Sequence, residues 1–217
     1  MATRLAQKRI LITAGPTWVP IDTVRVISNI ATGETGILLA EKLQAQGAKV
    51  TLLLGPVESC CLNKKIKVLR FKFFDELRRI MVRELKAKKY DIVIHSAAVS
   101  DYRPLKAYSL KVKSSLHGWA LKLVPTEKII DLVKKIDHSL FLVGFKFESW
   151  QNQKILIDKT RALLRRAKPD LVIANTIKRN KYEAYIVNLK DVFWPLENKE
   201  ALCRKLIAVM GGYRWGS

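Results

Sequence analysis

The chain has 217 residues, of which 49% are hydrophobic and 27% are charged, and its formal net charge is +21 at pH 7. This length is enough for one sizeable core, so we expect a single domain over residues 1–217. No run of about 18 apolar residues occurs, and the apolar run that follows the basic residues 1–8 is too short for a signal peptide. These features argue against a membrane-spanning helix and predict a soluble, cytoplasmic protein with no membrane partner.

The positive charge is spread along the chain and is not concentrated in one block with interleaved aromatic residues. Spread charge is typical of a solvated surface, so nucleic acid is not the expected partner, whereas phosphorylated small molecules are compatible with it. Cys60 and Cys61 are adjacent and Cys203 is distant, which gives neither a disulfide framework nor C-x-x-C metal spacing. We therefore expect structural cysteines in a reducing compartment.

The hydrophobic pattern predicts strands that alternate with helices, as in an α/β protein with a mostly parallel sheet. The predicted strands cover 9–14, 49–54, 66–71, 90–95, 140–147 and 170–175. The predicted helices cover 36–48, 74–88, 127–135, 153–167 and 199–210. Residues 185–188 and 192–194 are expected to close the fold as an antiparallel pair, and the glycine-rich tail from Gly211 is expected to fray.

A long loop over residues 13–36 separates the first strand from the first helix. Long loops at the carboxyl end of a strand usually carry function. The turn at Gly15 can hold phosphate, and so can the run 32–36, because open amides at a helix N-terminus favour an anion. Between them lie Arg25, a cation with a planar donor fork, and Asn29, a neutral amide donor. The loop therefore predicts a substrate that carries carboxylate or phosphate.

Two absences argue against an NAD-dependent oxidoreductase. The G-x-G-x-x-G spacing is missing, and the second strand ends in Leu54 and Gly55 where an acid would bind the ribose hydroxyls of NAD. Tyr102 and Lys106 have the spacing of a short-chain oxidoreductase pair, but they lie in a predicted loop beside Pro104. We do not expect redox chemistry.

Further candidates follow the ends of predicted strands, where open α/β sheets bind ligands. Ala97 and Ala98 are small enough to let a ligand approach the backbone. Asp101 adds a carboxylate, although a helix cap or a turn is an alternative role for it. Phe145 and Asn175 come at the ends of two later strands. These positions are expected to converge on one edge of the sheet.

Between residues 105 and 124 the alternation of helix and strand breaks, which predicts a hairpin or flap inserted into the sheet fold. Lys111 and Lys113 are two residues apart and would share one face of an extended strand. On an ordinary strand both would simply be solvated. From the residues alone, a functional role and a solvated surface are equally open.

Eight short motifs occur in order: T-A-G-P-T, P-I-D-x-V-R, S-N-x-x-T-G, A-A-V-S-D-Y-R-P, K-V-K-S-S, L-V-P-T, V-G-F-K and D-L-V-I-A-N. Together they make nearly the whole chain resemble the phosphopantothenoylcysteine synthetase family of coenzyme A biosynthesis. The resemblance implies a Rossmann-like three-layer α/β sandwich with a mostly parallel central sheet. It also implies an inserted hairpin or flap, at about 102–124, that is used for dimerisation. Many bacterial members follow a flavin-dependent decarboxylase, but no such segment precedes Arg9, so a stand-alone synthetase is expected.

The resemblance implies a ligase that joins phosphopantothenate to L-cysteine through an acyl-nucleotide, using CTP or ATP with Mg²⁺. It assigns the nucleotide to Gly15, Thr32, Gly33, Gly36, Phe145 and Asn175. It assigns phosphopantothenate to Asn29, Ala97, Ala98 and Asp101. It further implies a homodimer in which Arg25 reaches the neighbouring substrate site, and catalytic roles for Asn29, Lys111 and Lys113. No residue is assigned as a metal ligand.

Three positions depart from the family pattern, which usually has serine at Ala31, glycine at Pro16 and a basic residue at Glu34. Pro16 has no amide to donate, and Glu34 brings negative charge near a triphosphate, whereas Thr32 can supply the missing hydroxyl. Two alternatives follow: a degenerate nucleotide-binding relative without ligase activity, or a basic nucleic-acid-binding α/β protein. If the enzyme is active, cations of one predicted helix are candidates to replace missing lysines: Arg161, Arg165 and Arg166.

Overall fold

The computed structural model describes residues 4–58, 62–115, 117–149, 152–179, 181–193 and 195–213. Within these ranges the strands are β1 (Arg9–Ala14), β2 (Trp18–Pro20), β3 (Val26–Ser28), β4 (Lys49–Leu54), β5 (Lys67–Arg70), β6 (Ile92–His95), β7 (Tyr102–Pro104), β8 (Leu123–Pro125), β9 (Phe141–Ser149), β10 (Leu171–Lys178) and β11 (Lys181–Val187). The helices are α1 (Glu34–Ala45), α2 (Phe74–Lys86), α3 (Ile129–Ile136), α4 (Gln153–Ala167) and α5 (Lys199–Gly212). The α/β alternation expected from the sequence is confirmed.

The described part of the chain forms a seven-stranded sheet in the order β11-β10-β9-β6-β1-β4-β5. The neighbours from β10 to β5 pair in parallel, and β11 joins β10 in the antiparallel direction. The mostly parallel sheet is therefore confirmed. Because parallel strands run in one direction, their carboxyl ends meet at one edge, which we call the carboxyl edge.

Each face of this sheet carries helices, which produces the three-layer sandwich predicted from the motifs. Along β4, Leu52 packs on the side of α1 and α5, and Leu53 packs on the side of α2, α3 and α4. Both side chains are fully buried. A strand buried on both faces reads as a continuous apolar run, which is why L-L-L ends this strand.

Polar side chains fix where three of the helices begin. Glu76 accepts hydrogen bonds from the backbone amides of Lys72 and Phe73, just before α2. Asn152 caps α4, and Asn198 caps α5 by accepting from the amide of Ala201 at 2.7 Å. Each cap satisfies donors that the first turn of a helix leaves free. The described side chains provide no such cap for α1, a point that matters for ligand binding.

The expected antiparallel pair of residues 185–188 with 192–194 is confirmed in part: Val192 bridges Val187 in the antiparallel direction, and the amide of Phe193 donates to the carbonyl of Ile186 at 2.9 Å. Along its other edge, β11 pairs with residues 172–178 of β10, which the sequence did not predict. This second pairing makes β11 the last strand of the seven-stranded sheet. Trp194 of the predicted pair lies outside the described residues.

The carboxyl-terminal tail begins later than predicted. Gly211 and Gly212 continue α5, and the ring of Tyr213 packs edge-on against Phe141 with centroids 4.6 Å apart. This anchor offsets the low helix propensity of the glycines. Residues 214–217 lie outside the described part of the chain.

The structure supports a structural role for Cys203 and leaves the other two cysteines untested. Cys203 is fully buried in the layer between the sheet and α5, and burial raises the pKa of its thiol to about 12. A thiol with such a pKa is a poor nucleophile. Cys60 and Cys61 lie outside the described residues. None of the described helices is long and apolar enough to cross a membrane.

Candidate functional site

Two glycines from separate segments touch at the carboxyl edge. Gly15, after β1, has φ +83°, and Gly33, before α1, has φ +72°, so both occupy the left-handed region. A Cβ on Gly33 would lie 3.1 Å from the backbone N of Gly15. Two bare backbones can therefore approach a ligand together, which side chains at these positions would prevent.

The N-terminus of α1 opens beside these glycines. Within the described residues its first turn has no side-chain cap, apart from a weak contact from the Glu34 amide to Thr32 Oγ1 at 3.4 Å. Uncapped amides at a helix N-terminus attract anions. Glu34 itself is paired with Lys199 at the start of α5. Lys199 therefore offsets the negative charge that the sequence places here.

Gly36 has a packing role in addition to its predicted ligand role. A Cβ on Gly36 would lie 2.6 Å from Ala14 Cβ and 2.7 Å from Ser96 Oγ. Both distances are far below van der Waals contact. The absent side chain is thus what lets α1 lie close to the ends of β1 and β6.

Replacement of Gly36 by Ala should destabilise the protein by about 1–3 kcal/mol, since α1 must shift to make room for the methyl group. Urea unfolding of the variant measures this directly. The matched control is Gly211→Ala, also in a helix, where an added Cβ meets nothing within 4 Å. The control should be neutral or slightly stabilising, and equal stability of both variants would contradict the packing role.

The loops that follow β1 and β6 are joined by a ladder of hydrogen bonds. The Ala98 amide donates to Gly15 O at 2.9 Å, and the Thr17 amide donates to Ala98 O at 3.3 Å. The Ser100 amide donates to Thr17 Oγ1 at 2.9 Å, and Ser100 Oγ donates to Thr17 O at 3.0 Å. This ladder holds the small residues 96–98 against the glycine turn.

Asn29 lies over this ladder. Its Nδ2 donates to the carbonyls of Ala98 at 3.2 Å and Val99 at 3.1 Å. Asn29 is exposed, so its Oδ1 remains accessible to a ligand. Three residues assigned to phosphopantothenate by resemblance are thus brought together by the fold: Asn29, Ala97 and Ala98.

Asp101 lies at the start of the flap and combines a structural and an exposed role. Its backbone carbonyl accepts from the amide of Thr126 at 2.9 Å, and its carboxylate forms an ion pair with Lys128. The carboxylate is 65% exposed. The alternative of a helix cap does not apply, since the described contacts of its side chain are with Lys128.

β9 and β10 extend beyond the end of β6 and form a wall at the carboxyl edge. β6 ends at His95, which pairs with Gly144, whereas β9 continues to Ser149. Phe145 packs against the core on the side of α1. Asn175 is two residues beyond Ile173, the strand partner of Phe145, so its side chain shares that face. Both predicted nucleoside contacts therefore lie on the same side of the sheet as the N-terminus of α1.

The side chain of Asn175 carries a buried Oδ1 that has no hydrogen-bond partner among the described residues. The hydroxyl of Tyr182 on β11 is in the same state. Buried polar atoms normally find a partner, so such groups mark a place where a ligand donor fits. Next to Tyr182, a cleft of about 710 Å³ runs between α1 and α5 and is lined by Glu34 and Lys199.

The flap residues between β7 and β8 differ from the extended strand predicted for them. β7 and β8 pair over three residues each, and residues 111–113 belong to neither strand. The prediction that Lys111 and Lys113 share a strand face is therefore wrong. Both are exposed, and neither ammonium group has a partner among the described residues. The segment is shaped instead by contacts with the opening loop.

These contacts come from Asp22 and Arg25. Arg25 Nη1 lies 2.6 Å from Asp22 Oδ2 and donates to the carbonyl of Val112 at 3.2 Å, and its guanidinium lies 5.4 Å from the ring centroid of Trp119. In the described chain Arg25 thus binds its own flap. Sequence reasoning missed the roles of Asp22 and Lys199, although the aspartate of P-I-D-x-V-R was visible.

For Arg166, the idea that arginines of α4 replace missing lysines at the site is not supported, and for Arg161 and Arg165 it stays a prediction. Arg166 lies in the last turn of α4, which leads into the beginning of β10 at the opposite edge of the sheet. Its guanidinium donates to Asp131 of α3 at 3.2 Å. Its role is to connect two surface helices.

A protein-family comparison decides the affiliation of the chain. The model of the "DNA/pantothenate metabolism flavoprotein C-terminal domain" matches residues 5–211. The chain belongs to this family. The affiliation expected from the eight motifs is thereby confirmed.

Relatives of this family member include the coenzyme A biosynthesis bifunctional protein CoaBC of Thermococcus kodakarensis, with 41% identity over 176 residues. That alignment covers 80% of this chain and 42% of the relative, so the chain spans less than half the length of the curated protein it matches.

Solved structures of the family have the same architecture. The DNA/pantothenate metabolism flavoprotein from Streptococcus pneumoniae superposes with a TM-score of 0.86 at 27% identity and covers 95% of this chain and 100% of that one. The C-terminal domain of CoaBC superposes with a TM-score of 0.77 at 25% identity, with 96% of each chain covered. The Rossmann-like three-layer fold is confirmed by these superpositions.

Proposed function

We propose that this chain acts as a phosphopantothenate–cysteine ligase of coenzyme A biosynthesis, working as one synthetase domain over residues 1–217. The observation that carries the proposal is the contact of Asn29 with the Ala98 and Val99 carbonyls, beside the paired glycine turns. It brings the predicted acid-binding residues next to the predicted phosphate-binding backbone. The solved structure of a Cab2 mutant in complex with phosphopantothenate-cysteine has the same fold, with a TM-score of 0.76 at 20% identity.

The nucleotide is proposed to lie along the α1 side of the carboxyl edge. Its phosphates would meet Gly15, Thr32, Gly33 and the first amides of α1, where no side chain intervenes. The unpartnered Oδ1 of Asn175 would accept a hydrogen bond from an exocyclic amino group of the base. Cytosine and adenine both carry such a group, so this contact is compatible with either CTP or ATP.

Phosphopantothenate is proposed to lie on the ladder between β1 and β6, on Asn29, Ala97, Ala98 and Asp101. A neutral amide suits a carboxylate that must remain nucleophilic, because it orients the oxygens without a full counter-charge. To donate to the substrate, Asn29 Nδ2 would release one of the two hydrogen bonds that it makes to Ala98 and Val99. The two alanines keep the approach open. Asp101 can accept from hydroxyl or amide donors of the pantothenate chain.

The reaction would proceed in two steps. The substrate carboxylate attacks the α-phosphorus, forming an acyl-nucleotide and releasing pyrophosphate, and the cysteine amine then displaces the nucleotide to form the amide. Negative charge builds on oxygen atoms in both steps, so positioned donors and cations stabilise the transition states. Lys111 and Lys113 are proposed to supply that charge, and they are exposed and without described partners.

Mg²⁺ is proposed to enter with the nucleotide. The described residues contain no group of three or more His, Cys, Asp or Glu side chains arranged to hold a metal ion. Mg²⁺ commonly binds through substrate phosphates with only one or two protein carboxylates, which is compatible with this site. When bound, it would neutralise phosphate charge; the positioning of the acid remains the task of Asn29.

A homodimer is also proposed, with the flap at about 102–124 as its contact. Exposed apolar side chains of this segment support it, among them Leu105, Leu110 and Leu123 at 59%, 77% and 43% exposure. Arg25 would then serve both its own flap and the neighbouring subunit's site. Sedimentation of the purified chain tests the assembly.

The direct test measures pyrophosphate release with phosphopantothenate, Mg²⁺ and either CTP or ATP, with and without L-cysteine. We expect release that depends on phosphopantothenate and rapid turnover once cysteine is added, with one nucleotide preferred. Absence of release with both nucleotides would contradict the proposal and favour a nucleotide-binding relative without ligase activity.

Lys113→Gln should reduce kcat by roughly 10- to 100-fold, as expected for loss of one cation at a developing charge, while the unfolding midpoint stays unchanged. Steady-state pyrophosphate release and thermal unfolding measure the two quantities. Lys106→Gln is the matched control, since Lys106 is also an exposed flap lysine. Unchanged kinetics at position 113 would assign this lysine to the solvated surface.

A further inference from the structure

The opening loop contains a carboxylate that is fully removed from solvent. The side chain of Asp22 has 0% exposure, and both of its oxygens accept hydrogen bonds. Oδ1 accepts from the amides of Val24 at 2.8 Å and Arg25 at 2.7 Å. Oδ2 accepts from Arg25 Nη1 at 2.6 Å and from the amide of Val112 at 3.1 Å. A buried charge is stable only with such full pairing.

The partner of this carboxylate across the chain is the residue between the two flap lysines. The amide of Val112 donates to Asp22, and the carbonyl of Val112 accepts from Arg25 Nη1 at 3.2 Å. Both backbone polar groups of Val112 are therefore held by one ion pair. Lys111 and Lys113 on either side are exposed and have no described partners.

Other contacts attach further parts of the flap to the residues around Asp22 and Arg25. The amide of Tyr108 donates to the carbonyl of Ile21 at 2.8 Å, next to Asp22. The rings of Tyr108 and Trp119 meet edge-on with centroids 5.9 Å apart. Arg25 lies over Trp119. These contacts converge on the residues around the Asp22–Arg25 pair.

We propose that Asp22 is the positioning residue of the flap: together with Arg25 it grips Val112, and so fixes the segment from which Lys111 and Lys113 reach the reacting phosphate. This role rests on the proposed ligase function. The side chain of Asp22 is separated from solvent and is fully occupied by Arg25 and by backbone amides, so we assign it no direct contact with the substrate. Its effect on the reaction acts through the placement of the two lysines.

Asp22 is ionised throughout the neutral pH range, which favours a constant contact between the Asp22–Arg25 pair and Val112. Burial raises the pKa of the carboxyl, but the three backbone N–H groups and the Arg25 guanidinium lower it more, and the net pKa is far below its ordinary value. A lowered pKa stabilises the folded state above the unfolded pKa of about 4, and this contribution is lost only below it. The grip therefore does not change between pH 5 and 8.

Limited trypsin digestion of Asp22→Asn tests the grip without relying on activity. Both flap lysines are trypsin sites, and mass spectrometry separates cleavage after Lys111 and Lys113 from cleavage elsewhere. Loss of a buried, charge-assisted contact should raise cleavage at these two sites by at least about tenfold. Asp158→Asn, an exposed carboxylate on α4, is the matched control and should cleave like the wild type.

A second variant preserves the buried charge. Val112→Pro removes the amide that donates to Asp22 and leaves Asp22 and Arg25 intact. Trypsin does not cut before proline, so cleavage after Lys113 is the readout, with the same tenfold rise expected. This variant keeps the test valid if Asp22→Asn does not fold, as judged by its unfolding midpoint.

Kinetics complete the test. For Asp22→Asn we expect kcat of pyrophosphate release to fall at least about tenfold while the KM for nucleotide changes less than threefold, because the lysines act after binding. Wild-type cleavage rates at the flap in both variants would overturn the grip, whatever the activity. A different result would separate the two proposals. If the wild-type protein has no ligase activity but the variants still show increased cleavage of the flap, the proposed function is overturned and the role of Asp22 in holding Val112 stands.

Discussion

Asn29→Asp should lower phosphopantothenate-dependent pyrophosphate release by at least about a hundredfold, the scale seen when one hydrogen-bond donor to a reacting oxygen is lost. Two effects combine. The new carboxylate repels the anionic substrate, and it replaces the Nδ2 that donates to the carbonyls of Ala98 and Val99, so three oxygen acceptors face each other. The assay follows pyrophosphate with phosphopantothenate, Mg²⁺ and the preferred nucleotide.

The control for this variant is Asn63→Asp, which makes the same chemical change where the side chain contacts Gln44 on the surface. Its turnover should equal that of the wild type. Nucleotide binding by Asn29→Asp, measured by calorimetry, should also remain, since Asn29 is assigned to the acid substrate. Wild-type turnover in Asn29→Asp would remove Asn29 from the catalytic set.

Acidification from pH 7 to pH 5 should lower the free energy of unfolding by about 2 kcal/mol through His95 alone. His95 is buried at the end of β6, and burial lowers its pKa to about 4. The folded protein therefore holds a neutral imidazole, whereas the unfolded chain takes up a proton below pH 6.5. Because the unfolded state binds more protons in this window, stability falls with falling pH.

Urea unfolding at pH 7 and pH 5 measures this loss, and His95→Asn isolates it. Asparagine keeps a polar atom near the position of Nδ1, which lies 2.9 Å from Thr13 Oγ1, but it does not titrate. The difference in stability between the two pH values should shrink by about 2 kcal/mol in the variant. An undiminished difference would mean that other groups cause the acid sensitivity.

Much of the architecture could be predicted because the sheet is buried on both faces. Parallel strands between two helix layers appear as uninterrupted apolar runs, so the predicted strand 9–14 matches β1 and the predicted strand 49–54 matches β4. Helix 153–167 was predicted to the residue, since its apolar stripe alternates with a charged face. The hairpin of β2 and β3 in the opening loop was missed, because each strand has three residues and no clear period.

The candidate site was predicted in part. The glycines, Asn29 and the two alanines belong to motifs that can be read from the sequence, and the fold brings these residues to the carboxyl edge of the sheet. The strand predicted for Lys111 and Lys113 does not form. Val112 between them is bound by Arg25 and Asp22, which lie 87 and 90 residues earlier in the chain, and local alternation cannot reveal such contacts. Such contacts are set by burial and ion pairing between distant segments.

The sequence by itself determined the family, the alternation of strands and helices, and the chemical types gathered for the site, since these follow from motif order and hydrophobic period. The tertiary structure alone decided three further features. Lys199 pairs with Glu34 across 165 residues, Gly36 is required by the contact of α1 with Ala14, and Asp22 accepts a hydrogen bond from Val112 of the flap. Each of these features depends on which atoms come into contact in the folded chain. The hydrophobic pattern of a sequence does not show which distant residues will be in contact.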